Sequence, residues 1–244
     1  MADVLRIAMW SGPRNISTAL LRAWGNRPDT FVCDEPLYAH YLLHTGIDHP
    51  GRDEVIAAHE TDWRKVVAWL TGPVPDGKPI FYQKHMAHHL LPHIERGWLD
   101  RLTHCFLIRE PGEMLTSLVK HLPHPRREDT GLPQQIELLH HVQRCTGVTP
   151  PVLDARDVLD DPRRMLSLLC QRLGVPFLKE MLSWPPGPRE TDGVWARHWY
   201  AEVEQSTGFR PYKPKQEPAP LELRGLLAEC ERLYRELHAL RLRL

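Results

Sequence analysis

Arginine, serine and threonine crowd the segment Trp10-Ser-Gly-Pro-Arg-Asn-Ile-Ser-Thr-Ala-Leu20. A short apolar run precedes it and a helical pattern follows. At such a junction the free N–H groups of the helix start point outward, and the helix dipole favours negative charge. Ser17 and Thr18 add hydroxyl donors, and Arg14 adds a planar cation able to clamp phosphate oxygens. These residues suit an anion site; a plain strand-to-helix turn with Ser17 as its N-cap would also use them. An ATP-binding loop reads G-x-x-x-x-G-K-[ST]. Counted from Gly12, the second glycine position holds Ser17 and the lysine position holds Thr18. The lysine that a kinase or nucleotide hydrolase sets on a triphosphate is therefore missing.

The elements that must position these side chains are legible as alternating patterns. Apolar runs rich in β-formers predict strands at Leu5–Trp10, Thr30–Asp34, Pro79–Gln83, His104–Ile108 and Val152–Asp154. Helices are expected at Ser17–Gly25, His88–Glu95 and Pro111–His121. A further helix is expected to be capped by Asp161, opened by Pro162 and ended by Gly174. Alternating strands and helices imply an α/β fold, a three-layer parallel sheet with helices on both faces. Ligands in such sheets bind beyond the carboxyl ends of the strands. That singles out Ser11–Thr18, Asp34–His40, Lys84–His89, Arg109–Ser117 and Asp154–Asp157.

Composition bounds the function. The chain has 244 residues, 42% hydrophobic and 25% charged, with Lys+Arg and Asp+Glu both 31. Zero net charge argues against a long nucleic acid as partner, yet it permits a local positive pocket for a small anion. No leader pattern opens the sequence, and no apolar run approaches a membrane span. Five scattered cysteines without a C-x-x-C pair argue against a disulfide framework and for the reducing cytoplasm. Residues 1–244 are read as a single domain. The proline-rich and aromatic stretch 184–220 is expected to act as a lid over the strand ends. The stretch 221–244 is expected to be a C-terminal helix, packed on the core or forming a homodimer.

Pro13-Arg14-x-x-Ser17-Thr18 resembles the P-R-S-G-[ST]-[ST] loop of the sulfotransferase family, which receives the 5′-phosphosulfate of 3′-phosphoadenosine 5′-phosphosulfate (PAPS). Phe106-Leu-Ile-Arg109-Glu-Pro-Gly-Glu-Met-Leu-Thr-Ser117 is similar to that family's R-[DN]-P-x-x-x-x-x-S motif, whose arginine and serine hold the donor's 3′-phosphate. Asp157-Val-Leu-Asp-Asp-Pro162 and Leu173-Gly-Val-Pro-Phe177 resemble the family's D-L-x-x-D-P stretch and L-G-x-P-F ending. The resemblance spans roughly residues 5–180 and is nearest to bacterial and plant sulfotransferase-like proteins with S-G-P-R-N-x-S-T-A-L and D-E-P-L-Y-A-H-Y segments. It implies a P-loop nucleoside triphosphate hydrolase-like fold. It also implies PAPS as the donor, bound by Gly12, Pro13, Arg14, Asn15, Ile16, Ser17, Thr18, Arg109 and Ser117, with no metal required. Asn15 and Ile16 stand where the family usually has serine and glycine. A β-branched residue rarely takes a positive φ, so this loop is expected to bend differently. The family's R-K-G-x-x-G motif is not found; Lys213 and Lys215 are the candidates to replace it.

What the resemblance implies chemically is in-line sulfuryl transfer, run by positioning and by charge stabilisation at the leaving phosphate oxygen. Glu35, in Cys33-Asp-Glu-Pro-Leu-Tyr-Ala-His40, resembles the glutamate of the family's E-P-L segment and is the candidate general base. It would equally suit a carboxylate capping the helix after Pro36. His85 is the rival base. Lys84 resembles the lysine of the K-[ST]-P segment and is assigned to the sulfonate or the leaving oxygen. His40, Tyr41, Trp195, His198 and Trp199 are candidates to line a pocket for a small organic acceptor bearing a hydroxyl or amine. The histidines His85, His88, His89 and His93 lack the H-E-x-x-H arrangement and are read as solvated or capping groups rather than metal ligands. Two alternatives stay open: a P-loop kinase or nucleotide hydrolase, and a non-catalytic nucleotide-binding protein of the same fold.

Overall fold

Five strands, β1 (Leu5–Ser11), β2 (Thr30–Asp34), β3 (Ile80–Met86), β4 (Thr103–Ile108) and β5 (Val152–Asp154), form one sheet in the order β2-β3-β1-β4-β5. The computed structural model describes residues 4–214 and 219–243. Helices α1 (Ser17–Gly25), α2 (Tyr38–Thr45), α3 (Arg52–Ala58) and α4 (Trp63–Thr71) precede the fourth strand. Helices α5 (Pro111–Leu118), α6 (Leu132–Thr146), α7 (Ala155–Asp160), α8 (Pro162–Arg172), α9 (Ala196–Trp199), α10 (Ala201–Glu204) and α11 (Arg224–Ala239) follow it. The sheet is parallel and flanked by helices, so the α/β expectation holds. Central strands this apolar are buried along their length: Ile7 to Trp10 and Cys105 to Ile108 have no exposed surface.

The chain divides into two compact units. The first holds residues 1–9, 18–103 and 178–209. In it β2 and β3 run parallel with Asp34 opposite Lys84. Its core gathers Tyr38, Tyr41, Leu42, Val55, Trp195 and Tyr200. Trp195 and Tyr200 come from the aromatic stretch expected to be a lid; here they are core residues. The second unit holds residues 10–17, 104–177 and 210–244. In it β4 and β5 pair with Ile108 opposite Asp154. Helix α11 packs on α5 and α6, burying Cys230, Leu233 and Leu237.

Several sequence expectations need correction. Strand β3 continues past Gln83 to Met86, so Lys84 and His85 are strand residues rather than strand-end loop. The helix expected at His88–Glu95 is a short 3-10 turn, Ala87–His89. Pro92 has no N–H to continue a helical ladder, and its ring would clash with the preceding turn. Helices α3, α4 and α6 were not anticipated. Their end signals exist: the Asp62 side chain accepts from Arg64 N–H at the start of α4, and left-handed Gly131 and Gly147 bracket α6. Asp161 caps α8 and Pro162 opens it, as expected. Lys215 lies outside the described residues, as does part of the 184–220 stretch. Among the described residues no helix is long and apolar enough to cross a membrane. All five cysteines are free.

Candidate functional site

In the second unit β1 leaves the sheet through a turn that only glycine could begin. A Cβ on Gly12 would lie 2.3 Å from the Thr130 carbonyl oxygen, well inside contact distance. Two non-glycine residues then take left-handed backbone, Arg14 with φ 62° and Ile16 with φ 57°. Ile16 thus takes the left-handed backbone that favours glycine, against expectation. Left-handed backbone costs an L-residue roughly 1–2 kcal/mol, and such strain persists where surrounding structure imposes it, commonly at ligand loops. Here the surroundings are identifiable. Buried Asn15 donates from Nδ2 to the Leu107 carbonyl at 3.3 Å. Gln135 donates to the carbonyls of Trp10 and Leu107 at 2.9 and 3.0 Å. Asn15 Oδ1 is buried without a hydrogen-bond partner among the described residues.

The two motifs that sequence reading assigned to one donor meet at this loop. Arg14 Nε donates to Ser117 Oγ at 3.0 Å across 103 residues of chain. Arg109 Nη1 donates to the Arg14 carbonyl at 2.8 Å, and its Nε and Nη2 donate to Glu113 Oε2 at 3.1 and 2.9 Å. Strand β4 delivers Arg109, and α5 delivers Glu113 and Ser117 one and two turns along. Glu110 caps α5 by accepting from the N–H groups of Gly112 and Glu113, and Pro111 occupies its first turn. Tyr212 donates its hydroxyl to the other oxygen of Glu113. Beside Arg109 opens a cavity of about 450 Å³ lined also by Asp154, Arg156, Tyr212, Tyr234 and Arg241. Its size is that of a small-molecule site. Within it the Arg156 guanidinium lies 4.9 Å over the Tyr212 ring. Tyr234 donates to Asp154 at 2.7 Å, and Arg241 to Asp157 at 3.0 Å. Gln135 and Tyr212 escaped sequence reading, and Glu113 and Arg156 were singled out only as members of strand-end segments, since no local pattern reveals which distant backbone or charge a side chain will meet.

The first unit carries a different constellation. Strand register sets Lys84 beside Asp34. The lysine is 1% exposed, and its ammonium donates to Asp34 Oδ1 at 2.8 Å, Glu35 Oε1 at 2.6 Å and Tyr200 Oη at 2.7 Å. Tyr200 donates to Asp34 Oδ2 at 2.6 Å and accepts from Trp195 Nε1 at 3.2 Å. Burial opposes the charge on Lys84, but the two carboxylates outweigh it and hold the ammonium well above the ordinary lysine range. With three donors in use, Lys84 has no N–H left for a sulfonate. Glu35 sits at φ 40°, and its N–H donates to the Lys84 carbonyl at 2.9 Å. Its side chain is 13% exposed. Burial, aided by the like charge of Asp34, raises its carboxyl above the ordinary range against the pull of Lys84. Glu35 does not cap the following helix: α2 begins at Tyr38, with Leu37 at the N-cap and no side-chain cap.

The other sequence candidates are scattered through this unit. His85 follows Lys84 on β3 and so points to the opposite face of the sheet, with Nε2 3.2 Å from Gln83 Oε1. Tyr41 stacks on His89 at 4.6 Å, as does Tyr38 at 4.7 Å. Burial, then the charges around it, holds His89 well below the ordinary histidine range. His40 is buried and turned toward Thr61 and His93. His198 is exposed and hydrogen-bonded by Arg197, and Trp199 lies 6.1 Å from His49.

Fold and side chains together define an α/β protein whose first strand ends in a loop with left-handed Arg14 and Ile16. The chain belongs to the sulfotransferase domain family, which matches residues 5–239. Two solved structures share its fold. The sulfotransferase domain of the Synechococcus PCC 7002 olefin synthase is 16% identical, with TM-score 0.57 over 93% of this chain and 94% of that one. The sulfotransferase domain from the curacin biosynthetic pathway is 17% identical, with TM-score 0.57 over 96% and 98%. Sequence relatives are branched-chain-amino-acid aminotransferase-like proteins 1 and 2 of Arabidopsis thaliana, 38% and 36% identical over 96% and 93% of this chain. The chain spans 42% and 40% of their lengths.

Proposed function

We propose that this protein transfers a sulfuryl group from PAPS to a hydroxyl or amine of a small organic acceptor. Arg14, Ser17, Thr18 and the backbone of the Gly12–Ile16 turn receive the 5′-phosphosulfate. Arg109 and Ser117 receive the 3′-phosphate. The observation that carries this is the chain of hydrogen bonds from Arg109 to the Arg14 backbone and from the Arg14 side chain to Ser117. It joins the two phosphate motifs into one cradle. Membership of the sulfotransferase domain family supports the reaction class.

In the transfer the acceptor oxygen or nitrogen bonds to sulfur as the bond from sulfur to the 5′-phosphate oxygen breaks. The acceptor's proton leaves to a base, and the departing phosphate keeps the electron pair, stabilised by arginine and backbone N–H groups. Glu35 is the base in this proposal. A carboxylate with a raised proton affinity is better matched to neutral pH than an ordinary one. Lys84 supports it as a fixed, buried counter-charge rather than as a sulfonate ligand. The aminotransferase-like name of the plant relatives belongs to chains more than twice as long. An imine-forming lysine must lose its proton, whereas Lys84, the one fully buried lysine among the described residues, is held charged by two carboxylates.

The test is transfer of labelled sulfonate from PAPS to a panel of alcohols, phenols and amines by the purified chain. Label in at least one acceptor, lost in Arg109→Ala, is the expected outcome. Donor binding without transfer to any of them would move the protein to the non-catalytic class.

A further inference from the structure

Away from both groups of residues described above, three imidazoles converge on the surface of the first unit. His40 and His44 lie one turn apart on α2, so both project from the same face of the helix. His93 reaches them from the segment after the 3-10 turn. The ring centroids are 4.2 Å apart for His40 and His44, 5.0 Å for His40 and His93, and 4.9 Å for His44 and His93. Each offers one ring nitrogen within 4.8 Å of the other two. Sequence reading weighed His93 among its near neighbours and His40 as an acceptor contact, and did not pair His40 with His44.

The His40 tautomer is fixed by its partner. Its Nδ1 lies 2.7 Å from the Thr61 carbonyl oxygen, which can only accept, so Nδ1 carries the proton. That leaves the lone pair on Nε2, the atom 2.8 Å from His93 Nε2. A metal-bound histidine is commonly oriented in this way, by donating its second ring N–H to a backbone carbonyl. We propose that His40, His44 and His93 form a three-histidine site for a borderline divalent transition metal of the zinc type, bridging α2 and the segment around His93.

Zn–N bonds of about 2.0–2.1 Å put tetrahedral ligand nitrogens about 3.3 Å apart. The present separations differ from this by at most about 1.5 Å, which exposed rings close by side-chain rotation. His44 and His93 are exposed, so the fourth position faces solvent. Imidazole ligands select zinc, copper and nickel over the hard cations that prefer oxygen. Asp62 near His40 favours a dication, whereas Arg64 and Arg96 near His93 oppose it. The site is accordingly weaker than a buried cysteine-rich zinc centre.

The test uses the full chain, stripped with a chelator and titrated with zinc chloride by calorimetry. Cobalt(II) absorption then reports the coordination. The variants are His44→Ala and His93→Ala, both at exposed positions, with His141→Ala as control. His141 lies on α6 in the second unit, its Nε2 3.8 Å from Cys145 Sγ. The expected result is one saturable equivalent with tetrahedral-type cobalt absorption, and zinc raises the melting temperature. Each of His44→Ala and His93→Ala weakens binding about tenfold or more, as loss of a ligand should, and His141→Ala leaves it unchanged. Absence of saturable binding at millimolar zinc would overturn the proposal. So would binding that survives both His44→Ala and His93→Ala, or that is lost only in His141→Ala.

Discussion

Arg109 donates from Nη1 to the carbonyl oxygen of Arg14 at 2.8 Å, across 95 residues of chain. A side chain arriving from β4 therefore holds the backbone of the loop that leaves β1. The same arginine keeps its remaining edge on Glu113. In the proposed complex a 3′-phosphate would compete with that carboxylate for the guanidinium, and loop geometry and donor recognition would then share one residue.

Arg109→Ala is expected to weaken binding of adenosine 3′,5′-bisphosphate by roughly tenfold to a hundredfold, the loss of about 1.5–3 kcal/mol for a charge-assisted hydrogen bond. Calorimetric titration checks it. Ser117→Ala removes only the Arg14 Nε partner and one hydroxyl, and should cost less. Equal affinity in parent and Arg109→Ala would remove Arg109 from the donor site.

Ile16→Gly separates strain from packing. Relief of left-handed backbone is worth roughly 1–2 kcal/mol, and it offsets most of the loss of a half-buried side chain. The net change in unfolding free energy is expected to stay under about 1 kcal/mol, far less than a usual isoleucine-to-glycine change in a core. Urea denaturation reads the difference. A loss above about 3 kcal/mol would mean that the isoleucine side chain, not the loop backbone, dominates there.

Lys84→Met leaves Asp34 and Glu35 without their shared cation. Breaking a buried pair on one side typically costs about 3–5 kcal/mol, so a large drop in the unfolding midpoint is expected. Tyr200→Phe should cost about 1–3 kcal/mol, because Asp34, Lys84 and Trp195 each lose one hydrogen bond. A neutral Lys84→Met would show that the cluster contributes nothing to stability.

Glu35→Gln should preserve bisphosphate affinity while cutting turnover on the order of a hundredfold or more. In the parent, kcat/KM should rise with pH through a midpoint above the ordinary glutamate value, because the base must be ionised and burial opposes ionisation. A variant with full turnover would move the proton to another group.

Stability should also depend on pH through His89. Its folded-state pKa lies well below the ordinary histidine value of 6.5, so above 6.5 both states are neutral and no penalty exists. Below 6.5 the unfolded chain binds the proton first, and stability falls with pH. His89→Gln should flatten that slope in urea unfolding between neutral and mildly acidic pH. Glu35, raised rather than lowered, contributes the opposite sign.

Much of the fold could be read locally, because β1, β2, β4 and β5 are compact apolar runs and a buried parallel strand announces itself that way. β3 was cut short because its end is polar. Lys84 and His85 look like loop until the register with β2 supplies Asp34 as a partner. Helix α3 was invisible because Val55 is its one buried residue, too little for a periodic apolar face. In the candidate site, Arg14 and Ser17 were legible from chemistry alone. Arg109 and Ser117 came from resemblance to a motif, since nothing local connects them to a loop a hundred residues earlier. Gln135, the lysine's three bonds and the histidine trio depend on long-range packing, which spacing does not encode.

Calorimetric titration of the full chain with adenosine 3′,5′-bisphosphate, beside ATP with magnesium, tests the donor assignment most directly. One saturable site for the bisphosphate, with ATP–magnesium failing to compete, is the predicted result. Binding of ATP–magnesium in its place, or no heat from the bisphosphate at all, would contradict it.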